Sequence, residues 1–382
     1  MSEPFLPYGR QWLDDEDIDR VAEALRGDFL TTGPGVAGFE QALTECTGAR
    51  YACAVNSGTS ALHVAYFAAG LAEGDEIITS PMTFAATANA ALYLGAKVKF
   101  IDVQPDTGNL DPTLLEGAIS DKTKLIVPVD FAGHPADYDE ISAVAERHGV
   151  TVVADAAHSL GATYRGHEVG TLADATELSF HPVKPVTTAE GGAVLTDEPT
   201  LAKRAALFRT HGITRDAQDM DAAEGPWYYE MHHLGFNYRL TDVQCALGLS
   251  QLRRLKAFIE RRQQIASRYD EALGDLEEIE LPGRRDYVTP GWHIYVVRVA
   301  GDPGLRKPLF ERLRALGLGV QVHYIPVHFH PFYQNLGFKR GAYPVAEDFY
   351  HRAVSLPIYP KMSDEDVDSS IERVRRAVRE LL

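Results

Sequence analysis

From Tyr51 to Thr196 the chain repeats one pattern: a short run of apolar residues, then a longer stretch with helical periodicity. YACAV (51–55) leads into SGTSALHVAYFAAG, EIITS (76–80) into TFAATANAALYLG, and KVKFID (97–102) into a polar stretch and PTLLEGAI. LIVPVD (125–130) leads into DYDEISAVAERHG, and TVVAD (151–155) is followed by ELSF (177–180) and AVLTD (193–197). Strands that are apolar throughout are covered on both faces, and the helices between them supply the crossovers that parallel neighbours need. The pattern predicts an α/β fold with a mostly parallel central sheet and helices on both faces. Too little chain joins ELSF to AVLTD for an ordinary crossover helix, so one of the two is free to run antiparallel or to sit apart from its predecessor.

After Thr196 the pattern turns helical, with LAKRAALFRTHG and then one long run from Thr241 through Leu273, opened by Thr241 and Asp242 and stopped by Gly274. WHIYVVRVA (292–300) reads as a strand, KPLFERLRALGLG (307–319) as a helix, QVHYIP (321–326) as another strand and 363–382 as a terminal helix. These predict two domains: a large one over 1–249, including an N-terminal arm, and a small α+β one over 250–382. The acidic run DDEDID near the start reads as a solvated helix start.

Composition then narrows the function. A formal net charge of −17 argues against nucleic acid or an anionic membrane as partner. Cys46, Cys53 and Cys245 are widely spaced without a CxxC, which supports neither a disulfide framework nor a cysteine zinc site. With no basic leader and no membrane-length apolar run, the expected location is the cytoplasm. His323, His328 and His330 in HYIPVHFHP lack helical spacing and a nearby carboxylate, so no metal site is expected. His232 and His233 read as loop or interface residues.

Ligands of open parallel sheets collect beyond the carboxyl ends of the strands, and four unusual stretches fall there. Asn56-Ser57-Gly58-Thr59-Ser60 links a buried strand to a helix; its backbone N–H groups and hydroxyls suit a phosphate, or the serine is a simple N-cap. Asp155 ends a buried strand and needs a cation, an N-cap role or a magnesium ion, the last disfavoured by the lack of a GxxxxGK[ST] motif. Lys184 is held between Pro182 and Pro185, after Ser179 and before Gly191-Gly192; in a desolvated loop it becomes a free amine able to condense with an aldehyde, unless it only pairs with a carboxylate such as Glu190. Phe84 in SPMTFAAT offers a ring for stacking, or fills the core. Together, a phosphate loop, a ring, a buried acid and a held lysine match the needs of pyridoxal 5′-phosphate.

NSGTSAL, SPMTFAATANA, DAAHSLG, SFHPVKPVTTAEGGAV and GFNYRLTDVQCALGLSQL resemble, in order and spacing, the motifs of the DegT/DnrJ/EryC1/StrS sugar aminotransferases, which are fold-type I pyridoxal-phosphate enzymes. The resemblance implies that Lys184 forms the Schiff base and shuttles protons, that Asp155 pairs with the pyridinium nitrogen, that His158 lies near the phenolic oxygen and that Phe84 stacks on the ring. Ser57, Gly58, Thr59 and Ser179 would hold the phosphate, with Asn237 reaching the phosphate of a neighbouring subunit in a homodimer with shared sites. SFHPVKPVTTAEGGAV, QVHYIPVH and AEDFYHRAVSLP look most like members that use L-glutamate to aminate C4 of a UDP-4-keto-6-deoxy-N-acetylhexosamine, as in pseudaminic acid synthesis. Tyr8, His323, Tyr324 and His328 are the expected sugar-nucleotide contacts. Asp28 stands where such members carry a basic residue suited to a diphosphate, with Arg10, Arg26 or Arg239 as candidate substitutes. The alternatives are an aminotransferase for a bacillosamine-type or 3-keto dTDP-sugar, a non-catalytic sensor on the same fold, and a dehydratase relative; the presence of Lys184 argues against the last two.

Overall fold

The computed structural model describes residues 4–222 and 224–381. The apolar runs form β1 (Tyr51–Val55), β2 (Glu76–Thr79), β3 (Lys97–Phe100), β4 (Thr123–Val127), β5 (Thr151–Asp155), β6 (Ala175–Ser179) and β7 (Gly192–Thr196). They make one sheet in the order β1-β7-β6-β5-β4-β2-β3. The pairs from β3 across to β6 are parallel, whereas β7 runs antiparallel to both β6 and β1. The short connection between β6 and β7 accounts for the reversal. It is folded back on itself by Phe180 N–H to the Gly191 carbonyl at 2.9 Å and Thr188 N–H to the Phe180 carbonyl at 3.0 Å, and it carries Lys184 instead of a crossover helix.

Helices α1 (Asp15–Arg26), α2 (Pro34–Thr47), α3 (Gly58–Ala68), α4 (Ala85–Tyr93), α5 (Tyr138–His148) and α6 (Pro199–Arg209) accompany the sheet. One buried cluster joins α3 to the strands through Leu62, Val64, Ala65, Val127 and Val153, and another joins α2 to the sheet through Phe39, Leu43, Leu178 and Leu195. The long helical run is two helices, α7 (Asp242–Arg253) and α8 (Leu255–Leu273). Thr241 opens α7 with a capping box, its hydroxyl accepting from Gln244 N–H while the Gln244 side chain accepts from Thr241 N–H. The break falls at Arg254, whose guanidinium is held by the Asp14 and Asp17 carboxylates and the Trp12 carbonyl. This corrects the reading of DDEDID as solvated: Asp17 is fully buried against Arg254 and Gln251, which ties α1 to α7.

A three-stranded antiparallel sheet of β8 (Ile279–Glu280), β9 (Tyr295–Val299) and β10 (Ala353–Leu356) packs with α9 (Arg306–Ala315) and α10 (Asp364–Leu381) around a separate core. The change of core falls inside α8. Leu255 and Ile259 pack with the large sheet's residues, and Ile265, Ala266, Tyr269 and Leu273 pack in the core around the small sheet. The N-terminal arm, expected above to go with the large sheet, is tied to this second core. Leu6 is buried in its core and pairs with Leu318, through Leu6 N–H to Gly317 O at 2.9 Å and Gly319 N–H to Leu6 O at 2.6 Å. QVHYIP is not a ladder strand; only Gln321 pairs, opposite Ser355. Successive residues of a strand face opposite ways, and here the consecutive His323 and Tyr324 both line one cavity. Among the described residues no helix is long and apolar enough to cross a membrane.

Candidate active site

A cavity of about 470 Å³ opens beyond the carboxyl ends of β5 and β6, within the size range of small-molecule sites. At one end lies the start of α3. Ser57 caps that helix by accepting from Ser60 N–H at 3.1 Å, leaving the N–H groups of Gly58 and Thr59 beside the Ser179 hydroxyl. A Cβ at Gly58 would fall 2.7 Å from Glu177 Oε1 and 2.9 Å from Ser179 Cβ, so only glycine lets the helix start approach the strand end this closely. Such a cradle of donors at a helix N-terminus suits a phosphate.

Asp155 closes β5, buried, with Oδ2 accepting from Thr87 Oγ1 at 2.5 Å and Oδ1 accepting from Ala157 N–H at 3.4 Å. Thr83 and Thr87, one helical turn apart at the start of α4, join hydroxyls at 2.6 Å and so fix the donor. Phe84 between them is 63% exposed, and its ring lines the cavity with a face free to stack on a planar group. His158 faces the same space. Its Nε2 meets the Tyr324 hydroxyl at 3.0 Å, and burial, with Lys184 and His323 nearby, pushes its pKa well below the usual imidazole range, so the ring is neutral.

Lys184 sits in a turn closed by its own N–H to the His181 carbonyl at 2.9 Å, half-buried in the cavity wall. Loss of hydration disfavours its ammonium, and the carboxyls of Glu177 and Asp155 offset only part of that cost, so its pKa falls to about 8. It is not a surface lysine paired with Glu190. On the far wall, Tyr8 and His323 approach ring to ring at 5.5 Å, and His323 Nδ1 lies 2.8 Å from Ser355 Oγ. Burial, then the Lys184 charge, lowers the His323 pKa to about 4.

The structure thus brings together Tyr8, Ser57, Gly58, Thr59, Phe84, Asp155, His158, Ser179, Lys184, His323 and Tyr324 around one cavity. His328 is not among them. Past Pro326 the chain enters a short 3-10 turn, Val327–Phe329, which sends the His328 ring into a fully buried position against Phe329 and Tyr343, with Nε2 3.0 Å from Glu347 Oε1. Asn237 is exposed, bridged to Thr210 and outside the cavity of its own chain. Asp28, Arg10, Arg26 and Arg239 do not line it either, and all but Arg239 are exposed.

The sequence pattern of the DegT/DnrJ/EryC1/StrS aminotransferase family matches residues 11–375. The chain belongs to this family. A UDP-4-amino-4,6-dideoxy-N-acetyl-beta-L-altrosamine transaminase of Campylobacter jejuni is 41% identical over 365 residues, which cover 94% of each chain. Helicobacter pylori PseC, an aminotransferase involved in the biosynthesis of pseudoaminic acid, superposes with a TM-score of 0.93 at 34% identity, covering 98% of this chain and 100% of that one. The putative sugar aminotransferase Spr1654 of Streptococcus pneumoniae, in its PLP form, superposes with a TM-score of 0.93 at 32% identity, covering 99% of this chain and 100% of that one.

Enzymes of this family are pyridoxal-phosphate-dependent sugar aminotransferases, and the residues here fit that cofactor. The Gly58 cradle, which a Cβ would fill, suits its phosphate; the Asp155 carboxylate suits its ring nitrogen; the free Phe84 face suits its ring; and the Lys184 amine suits its aldehyde. Sequence reasoning missed three contributors. Thr87 was detectable as the residue one turn after Thr83 on α4. His293, whose ring centroid is 4.3 Å from that of His158, hid at the start of an apolar strand. Glu177 was the plainest signal: a lone acid within β6, the same anomaly that singled out Asp155.

Proposed function

We propose that this enzyme moves the amino group of L-glutamate to the 4-keto carbon of a UDP-4-keto-6-deoxy-N-acetylhexosamine, in a pathway of the pseudaminic acid type. The observation that carries the reading is the cavity itself. A low-pKa lysine, a buried carboxylate and a phosphate cradle meet there beneath a wall of Tyr8, His323 and Tyr324. The Campylobacter relative, by its name a transaminase of a UDP-linked 4-amino sugar, supports the choice of substrate. Bound pyridoxal phosphate supplies an aldehyde that takes up the amino group and a ring that takes up electrons from the neighbouring carbon. The protein supplies the rest. Asp155 would hold the ring nitrogen protonated, Phe84 would cover one ring face, and neutral His158, with Tyr324, would offer a hydrogen bond to the ring. Lys184 Nζ, once free, takes a proton from the donor's α-carbon and, in the second half of the cycle, returns one to the sugar's C4.

The working unit is a homodimer in the cytoplasm, with Asn237 of the partner subunit completing each phosphate site. Trp227, Tyr229, Met231, Leu234 and Phe236, all exposed on the segment before Asn237, give the apolar surface such a contact needs. The test is the visible spectrum of the cofactor-loaded protein before and after L-glutamate, followed by addition of the UDP-4-keto sugar. The expected result is loss of the yellow band with one equivalent of 2-oxoglutarate per site, then its return with a 4-amino sugar identified by NMR. Turnover only with a bacillosamine-type or 3-keto dTDP sugar would replace the substrate, and a silent spectrum would sink the reading altogether.

A further inference from the structure

Glu177 has no role in the account above, yet it lines the same cavity. It lies within β6 directly beside Asp155 of β5, the two being register partners, and is 1% exposed. Its Oε2 is buried without a hydrogen-bond partner among the described residues, and its Oε1 lies 2.7 Å from where a Cβ of Gly58 would fall, beside the phosphate cradle. A carboxylate at that point would stand beside a second carboxylate and beneath a dianionic phosphate. An unpartnered buried oxygen in such company keeps its proton.

We propose that Glu177 is a neutral carboxylic acid that donates its proton in a hydrogen bond to Asp155, making it the positioning residue for the carboxylate that meets the cofactor's ring nitrogen. The groups facing it agree. Asp155 on β5 opposes a second negative charge, and the Tyr66 hydroxyl on α3 brings no cation. Lys184 on the loop after β6, whose own pKa is depressed, and the Ala157 N–H both favour ionisation. Burial and Asp155 outweigh them, holding Glu177 well above the usual carboxyl range. Neutrality has two effects. Asp155 receives a further donor besides Thr87 Oγ1 and the Ala157 N–H, which fixes its orientation, and the phosphate end of the site carries no opposing charge.

The inference rests on the cofactor reading but is tested apart from it. The first readout is infrared absorption of the apo-protein at pH 7 in the protonated-carboxyl region, wild type minus Glu177→Gln. The difference cancels Asp130, a second buried acid whose pKa is raised to about 7. The second is the affinity of pyridoxine 5′-phosphate, which carries the ring and phosphate but no aldehyde, so that capture by Lys184 plays no part. The expected results are a protonated-carboxyl band that disappears in Glu177→Gln, and an affinity within about twofold of wild type, because the amide is also neutral and also donates. Absence of the difference band, or binding about tenfold tighter in Glu177→Gln as expected when an anion is removed from beneath a phosphate, would overturn the proposal. Failure of the amino-transfer reading shows separately, as a cofactor spectrum unresponsive to glutamate.

Discussion

The chemistry of this site turns on how far one ammonium is destabilised. Pro182 and Pro185 hold Lys184 in a turn where water is scarce, and the single negative charge carried by the Asp155–Glu177 pair only partly restores the ammonium's stability, leaving a pKa of about 8. Below that value the share of free amine rises tenfold per pH unit, and above it the share saturates. The rate at which apo-protein captures pyridoxal phosphate should therefore climb from pH 6 to about 8 and then level, as followed by stopped-flow absorbance. A flat profile would mean that the lysine is an ordinary one. The same depression has a sign for stability. An unfolded lysine titrates near ~10.4, so between about 8 and ~10.4 the unfolded chain binds the extra proton and apo-protein stability rises with pH through this group. Lys184→Ala should remove that contribution and lower turnover by roughly 10³-fold or more, while the phosphate cradle still retains cofactor on a desalting column. Residual turnover near wild type would take the proton-transfer role away from Lys184. Of these residues Lys184, Asp155 and the Ser57–Thr59 turn were legible from sequence because each breaks a local rule, a lysine between prolines or an acid ending an apolar strand. Glu177 breaks the same rule, but its meaning depends on its register with Asp155, which only the sheet reveals.

At the scale of elements, the site depends on two close approaches. Gly58 lets α3 meet β6, and Gly192, the first residue of β7, lies against the turn that begins α3: a Cβ there would fall 2.5 Å from the Ser57 carbonyl oxygen and 2.8 Å from Gly58 N. These neighbours are backbone and cannot swing aside. Gly192→Ala should thus cost roughly 1–3 kcal/mol, the usual range for overpacking, measured by urea unfolding of the apo-protein. It should also weaken pyridoxal phosphate binding, since the turn that must shift is the one that presents the N–H groups of Gly58 and Thr59. Unfolding and binding both at wild-type values would show that the contact is slack. The strands and helices of the large domain were readable because burial on both faces writes itself into continuous apolar runs. Elements were misread where side chains serve a distant partner. QVHYIP has strand-forming residues, but His323 and Tyr324 both turn to the cavity; DDEDID looks solvated, but Asp17 is buried against Arg254 from a helix far along the chain. The break between α7 and α8 follows from that same pairing and has no proline or glycine to announce it.

At the scale of the whole molecule, segments far apart in the chain converge on one cavity. The arm residue Leu6 is anchored in the core around the small antiparallel sheet while Tyr8, two residues on, lines the cavity together with the strand ends of the large sheet and with His323 and Tyr324. Asn237, by contrast, is exposed and does not line its own chain's cavity, and it follows a run of exposed aromatic and aliphatic side chains. If a two-fold dimer places Asn237 of the partner subunit at each phosphate cradle, Lys184 and Asn237 act across the interface and belong to different chains in every site. Two inactive variants, Lys184→Ala and Asn237→Ala, should then rescue each other. In a mixed dimer one site receives both substitutions and the other neither, so random exchange of equal amounts yields about one quarter of wild-type activity. If instead each chain supplies both residues to one site, every site in the mixture carries one lesion, and activity stays at the mean of the two parents however long the subunits exchange. Size-exclusion chromatography of the mixture, with one parent tagged, confirms that exchange has taken place and makes either activity result decisive.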